Sequence, residues 1–168
     1  KNNNKNKMYQ TAQFDGVKVI RVWSYIAANQ GFLKRIIDFI SFAITSFFAG
    51  LFVRKVDVII GTSPQFFTTV SAYGLSVFKR KPWVFELRDL WPESIRAVTK
   101  MTKSRTLDKF EQLELFLYKK ANMIVSVTDS FKKNLIGRGI DGNKIAVVKN
   151  GANLNMYQPL VKNTAVRK

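Results

Sequence analysis

Short apolar runs alternate with helix-length stretches, and this alternation constrains the fold more than any other feature. The runs are Val17 to Trp23 (V-K-V-I-R-V-W), Val56 to Gly61, Trp83 to Leu87, Met123 to Thr128 and Lys144 to Lys149. Between the later ones lie helix-like segments at about 66–78, about 106–121 and 131–136. Buried strands joined by crossover helices form a parallel sheet. The expected fold is therefore α/β: a Rossmann-like, doubly wound parallel sheet with helices on both faces. Val17 to Trp23 is expected as its first strand, introduced by an Asp15-Gly16 turn.

The stretch W-V-F-E-L-R-D-L-W-P-E-S, Trp83 to Ser94, is the densest in meaning. An apolar strand runs into Glu86, Arg88, Asp89 and Glu93, and Pro92 within that stretch forbids further pairing. In open parallel sheets ligands bind beyond the carboxyl ends of the strands, so charges arriving there are placed to meet a polar substrate. A salt-bridge cluster that fixes a loop is the competing reading. Thr62, Ser63 and Pro64 end the second of the expected sheet strands in the same way, as cleft loop or as simple helix cap.

The 168-residue chain is 46% hydrophobic with 14 Phe, enough for one domain with a core. It has no Cys and no His, which removes thiol nucleophiles, imidazole bases and the usual zinc ligands. A formal charge of +17 predicts an anionic partner: nucleic acid, an acidic membrane surface or a phosphorylated substrate. Lys1 to Lys7 is a polar run that reads as a loop or cut end. Phe32 to Val53 is the longest apolar stretch, and Lys34, Asp38, Ser41 and Thr45 form a polar stripe at helical spacing. Its uninterrupted apolar part is shorter than the ~20 residues that span a bilayer. A core helix is the favoured reading, and a helix whose aromatic face dips into a membrane interface is the alternative.

Gly137, Gly139 and Gly142 spell the dinucleotide fingerprint G-x-G-x-x-G. They follow a helix and precede a strand, the reverse of the order that puts a phosphate on a helix amino end. They read as cap and turn residues.

Three segments carry a resemblance: F-E-L-R-D-L-W-P-E-S-I, V-S-V-T-D-S-F-K-K-N-L-I-G-R-G-I and K-I-A-V-V-K-N-G-A-N-L-N-M-Y-Q-P. The chain resembles family 4 glycosyltransferases of the GT-B fold, and within them the bacterial enzymes of O-antigen, capsule and colanic-acid synthesis. The resemblance implies a partial amino-terminal, acceptor-binding domain over residues 1–159, lacking its first strand-helix-strand, with 160–168 beginning an interdomain linker. It implies a retaining transferase that moves a sugar from a nucleotide sugar, a UDP-sugar by expectation, to a sugar on undecaprenyl diphosphate. Such enzymes work without a bound metal or other cofactor, in the cytoplasm, peripheral to the inner face of the plasma membrane. A fragment without the donor domain is expected to be inactive alone.

On this resemblance Asp89 orients or polarises the acceptor hydroxyl, with Glu86, Arg88, Glu93, Thr62 and Ser63 on the acceptor side. Asn150 and Gly151 match the family's Asn-Gly and face the donor. Lys149 stands where the family usually has Pro, and Asn153 where it has Asp. The positive charge and the Phe-rich helix would then serve attraction to anionic lipid. A basic, noncatalytic module that binds membrane or nucleic acid is the second class. Against nucleic acid stand aromatics clustered in apolar runs and the absence of any helix-turn-helix, RNA-recognition or zinc motif.

Overall fold

A computed structural model describes residues 9–26, 32–91 and 105–151. Its elements are β1 (Tyr9–Phe14), β2 (Val17–Val22), α1 (Phe32–Leu51), β3 (Ile59–Thr62), α2 (Phe66–Lys79), β4 (Trp83–Leu87), α3 (Arg105–Lys120), β5 (Met123–Ser126), α4 (Asp129–Gly137) and β6 (Ile145–Val147). The fold class is as expected: a four-stranded parallel sheet in the order β3-β4-β5-β6, flanked by helices. The residues read as Lys1 to Lys7, Glu93, Asn153 and the 160–168 linker lie outside the described residues.

One strand falls elsewhere than expected. Val17–Val22 does not join the parallel sheet but pairs antiparallel with Tyr9–Phe14, from Tyr9↔Val22 to Phe14↔Val17. The cause is the turn itself: Asp15 at φ 46° and Gly16 at φ 80° adopt the left-handed conformations of a tight hairpin, which returns the chain on itself. A parallel neighbour would instead need a crossover of a dozen residues or more.

The register explains the core. Gly61, Phe85 and Ile124 are paired across the first three strands, and Ile145 follows opposite Ile124, so these positions share one face of the pleat. Phe85, Ile124 and Ile145 are buried there with Trp83, Leu87, Leu117, Tyr118 and Leu135. The opposite face carries Ile60 and Met123, both exposed. Burying side chains of this size contributes about 1.5–3 kcal/mol each, so the helix-covered face dominates stability.

Gly61 lets α2 approach β3. A Cβ there would lie 2.7 Å from the Ala72 Cβ and 3.2 Å from the Thr69 Cα. Backbone atoms cannot swing aside, so Gly61→Val is expected to destabilise by about 1–3 kcal/mol. Urea unfolding measures it; an unchanged midpoint would mean that α2 shifts without penalty.

Three lysines are used inside the fold. Lys79 Nζ donates to the Leu51 and Val53 carbonyls at 3.0 and 2.8 Å, closing the end of α1 rather than that of α2. Lys144 Nζ donates to the Tyr118, Lys119 and Ala121 carbonyls at the end of α3, the shortest contact being 2.7 Å. Lys132 Nζ donates to the Ile145 carbonyl at 2.8 Å. Cations at helix carboxyl ends complement the dipole and satisfy orphan carbonyls. At the other end of a helix, Thr128 caps α4 by accepting from the Phe131 N–H at 3.1 Å. The three glycines behave as cap and turn residues: Gly137 ends α4, Gly139 sits at φ 81° and Gly142 opens a single 3-10 turn.

Candidate functional site

The exits of β3 and β4 lie side by side because Thr62 is in register with Glu86. From that register follows a compact set of bonds. The Thr62 hydroxyl donates to Glu86 Oε2 at 2.6 Å, and Arg88 Nε donates to Glu86 Oε1 at 3.0 Å. Thr62's bond holds the Glu86 carboxyl below the usual carboxylate range; partial burial opposes it and Arg88 reinforces it. Both Glu86 oxygens are thus engaged within the protein.

Ser63 is buried and ties the two strand exits together. Its Oγ accepts from the Arg88 N–H at 3.0 Å and the Asp89 N–H at 3.4 Å, and its own N–H donates to the Glu86 carbonyl at 3.0 Å. The Arg88-Asp89 turn is therefore held by a side chain from the neighbouring strand. Ser63→Ala strands two part-buried N–H groups and is expected to cost about 1–3 kcal/mol. The thermal midpoint reports it, and no change would mean that water replaces the hydroxyl.

A cavity of about 950 Å³ opens beside these exits. Thr62, Ser63, Thr68 and Asp89 make it polar at the strand ends, while Phe39, Phe42, Leu75 and Trp91 are among its apolar walls. Arg35 of α1 also lines it. The combination of apolar walls with a few convergent polar groups is that of a ligand pocket.

Trp91 is a wall residue that sequence reasoning did not single out. Its ring stacks on Phe66, centroids 4.6 Å apart and planes at 14°, and meets Phe110 edge-on at 5.1 Å. Phe67 completes the group, 6.3 Å from Trp91. The signal was present in Phe66-Phe67, placed directly after the Thr-Ser-Pro-Gln turn.

Of the expected site residues, the structure brings Thr62, Ser63 and Asp89 into one cavity lining, with Glu86 and Arg88 bonded behind them. Glu93 lies outside the described residues. Asn150 and Gly151 follow β6, two strands from β4 along the same sheet edge, and do not line the cavity. Lys149 forms an exposed pair with Asp129 at 2.8 Å, linking the exit of β6 to the start of α4. Lys149 holds the Asp129 carboxyl below its usual range.

A second cluster joins α3 to the α4 exit. Glu114, almost fully buried, accepts from Tyr118 Oη at 2.6 Å and pairs with Arg138 at 2.8 Å; Arg138 also reaches Glu111 at 3.4 Å. Burial raises the Glu114 carboxyl, against the lowering effects of Tyr118 and Arg138. Burial also pushes the Tyr118 phenol well up, assisted by Glu114. None of these residues lines the cavity. Among the described residues, no group of three or more His, Cys, Asp or Glu is placed to hold a metal ion.

A parallel α/β domain with a polar-mouthed cavity at its strand carboxyl ends is a ligand-binding architecture found with many chemistries. The family model of Glycosyltransferase Family 4 matches residues 7–156, and the chain belongs to that family. A glycosyltransferase-like role follows from the membership. No curated protein matches the chain.

Proposed function

We propose that this chain is the acceptor-binding part of a retaining glycosyltransferase that moves a sugar from a nucleotide sugar, of the UDP-sugar class, to a glycan on a polyprenyl diphosphate carrier in bacterial surface polysaccharide synthesis. The observation that supports it best is the cavity, where Asp89, Thr62 and Ser63 meet an apolar chamber at the sheet's carboxyl edge. A sugar hydroxyl needs an oriented acceptor group, and a lipid carrier needs apolar wall.

In the transfer, the acceptor hydroxyl oxygen bonds to the donor's anomeric carbon as the bond from that carbon to the diphosphate oxygen breaks. The nucleoside diphosphate leaves, and the hydroxyl proton passes to it. Asp89 accepts a hydrogen bond from the hydroxyl and so fixes its lone pair toward the anomeric carbon, a positioning effect. Asn150 and Gly151 face the donor from the far end of the sheet edge. The site needs neither thiol nor imidazole, and we assign it no metal.

Trp91 supplies the test, because it lines the cavity. Titrating a short-chain polyprenyl diphosphate glycan into the protein should change tryptophan fluorescence saturably, and Trp91→Phe should abolish the change. A saturable change that survives in Trp91→Phe, or no change in wild type, would overturn the assignment of the acceptor to this cavity.

A further inference from the structure

No helix among the described residues is long and apolar enough to cross a membrane, and α1 forms a wall of the cavity instead. Its direction decides what it brings there. Ser46 Oγ lies 3.4 Å from Ser71 Oγ, and the Leu51 carbonyl accepts from Lys79 Nζ at 3.0 Å, so α1 and α2 run side by side in the same direction. α2 begins at Phe66, just past the exit of β3 at Thr62. The amino end of α1 therefore reaches the same carboxyl edge of the sheet, and Arg35 lines the cavity there with Thr62, Ser63 and Asp89.

Among the described residues, the cavity is lined by one cation, Arg35, and one anion, Asp89. They are not spent on each other. Asp89 meets Ser63 through backbone atoms, and its carboxylate has no hydrogen bond or ion pair among the described residues. The Arg35 guanidinium has none either; its contact is with a ring, 5.6 Å from the Phe39 centroid. Local stability does not call for a cation at this place. Arg35 stands in the first turn of α1, which holds no acid, and the helix dipole disfavours positive charge at that end.

The surroundings set the class of ligand. A guanidinium over an aromatic ring keeps its N–H fork open, and that fork matches the paired oxygens of a phosphate. Ile36, Phe39 and Phe42 beside it are apolar. This part of the cavity thus suits an anion joined to an apolar chain, while Asp89 suits a hydroxyl.

We infer that Arg35 receives the diphosphate of the acceptor, its N–H groups donating to the phosphate oxygens while the first isoprenoid units lie along Phe39 and Phe42. The sugar is thereby set toward Asp89. The inference rests on the proposed acceptor role and names within it the residue that tells a carrier-linked glycan from a free one. The donor also contains a diphosphate, so the test separates the two sources.

The experiment is calorimetric titration of the full chain with geranyl diphosphate, geraniol and UDP. Geranyl diphosphate should bind wild type saturably, and more tightly than geraniol or UDP. Arg35→Gln should weaken it by about 10- to 100-fold, the worth of hydrogen bonds to a charged group, and leave geraniol unchanged. Arg35→Lys keeps the charge without the fork and should recover part of the loss. A net charge of +17 attracts any anion, so Arg54→Gln with Lys55→Gln, exposed beyond the opposite end of α1, is the control and should bind like wild type. Arg35 is exposed, and circular dichroism should show its variants folded. In sugar transfer, Arg35→Gln should raise the acceptor KM and keep kcat, because the diphosphate of the acceptor does not react. Geranyl diphosphate binding that Arg35→Gln leaves intact, or that the Arg54 and Lys55 control weakens equally, would overturn the inference, as would a fall in kcat at unchanged KM. UDP binding tighter than geranyl diphosphate and lost in Arg35→Gln would overturn it in favour of the donor's diphosphate. The titration uses neither sugar nor donor, so absence of transfer would sink the proposed function and leave the Arg35 result standing.

Discussion

Asp89→Asn is expected to lower sugar transfer by about 10²-fold, the cost of a reacting hydroxyl held out of line, while leaving the unfolding midpoint unchanged. The separation of activity from stability comes from geometry. Asp89 meets Ser63 through its backbone N–H at 3.4 Å and its backbone carbonyl at 3.5 Å, and Asn keeps both. The turn therefore survives, and only the charge at the cavity lining is lost. Turnover should fall far more than acceptor affinity, since the carboxylate orients a hydroxyl already bound. Steady-state kinetics with varied acceptor checks this; a change confined to KM would make Asp89 a binding group, and a matching loss of stability would make it structural.

The second large effect is on stability. Arg138→Met removes the guanidinium from Glu114, which is 2% exposed, and leaves a buried carboxylate without its ion-pair partner. The expected loss is about 3–5 kcal/mol at neutral pH. Its pH dependence has a definite sign. Burial already raises the Glu114 carboxyl in the folded state, and losing Arg138 raises it further. A carboxyl with a raised folded pKa contributes fully below its unfolded value, ~4.3, and loses that contribution as pH rises through the folded value. The deficit of Arg138→Met should therefore shrink as pH falls from neutral toward that unfolded value. Adding Glu114→Gln should recover most of the loss, because Gln still accepts from Tyr118 without a charge. Urea unfolding of the three proteins at two pH values measures this. An equal deficit at both pH values, with no recovery in the double variant, would refute the buried-charge explanation.

The parallel sheet was legible because its strands are short apolar runs with strong local punctuation. Trp83–Leu87 has the bounds expected, set by Pro82 before it and the charged turn after it. The hairpin partner Tyr9–Phe14 was not legible, since its Gln and Thr positions carry no apolar alternation and its pairing depends on the Asp15-Gly16 turn. Lys34, Asp38, Ser41 and Thr45 lie along one stripe of α1, but helical spacing cannot say what a stripe faces. Tertiary contacts with Trp23 and Tyr25 turned Ser41 and Thr45 inward and left the apolar arc outside.

The candidate site divides along the same line. Thr62, Ser63, Glu86, Arg88 and Asp89 were visible because they sit where apolar strands stop. The bonds among them were not, because Thr62 to Glu86 spans 24 residues and depends on register. The Glu114–Arg138 pair is likewise 24 residues apart and has no local signature. Trp91 belongs to the charged stretch after β4, yet its stacking on Phe66 at the start of α2 is a product of packing alone.

Sugar transfer is the most direct measurement. Radiolabelled UDP-sugars are supplied one at a time to the full-length protein with bacterial membranes, and lipid-extractable label is counted for wild type and Asp89→Asn. Label entering the lipid fraction with wild type, and falling by about two orders of magnitude with a folded Asp89→Asn variant, is the predicted result. Lipid labelling that Asp89→Asn leaves at the wild-type level, or no labelling from any UDP-sugar with folded wild type, would contradict it.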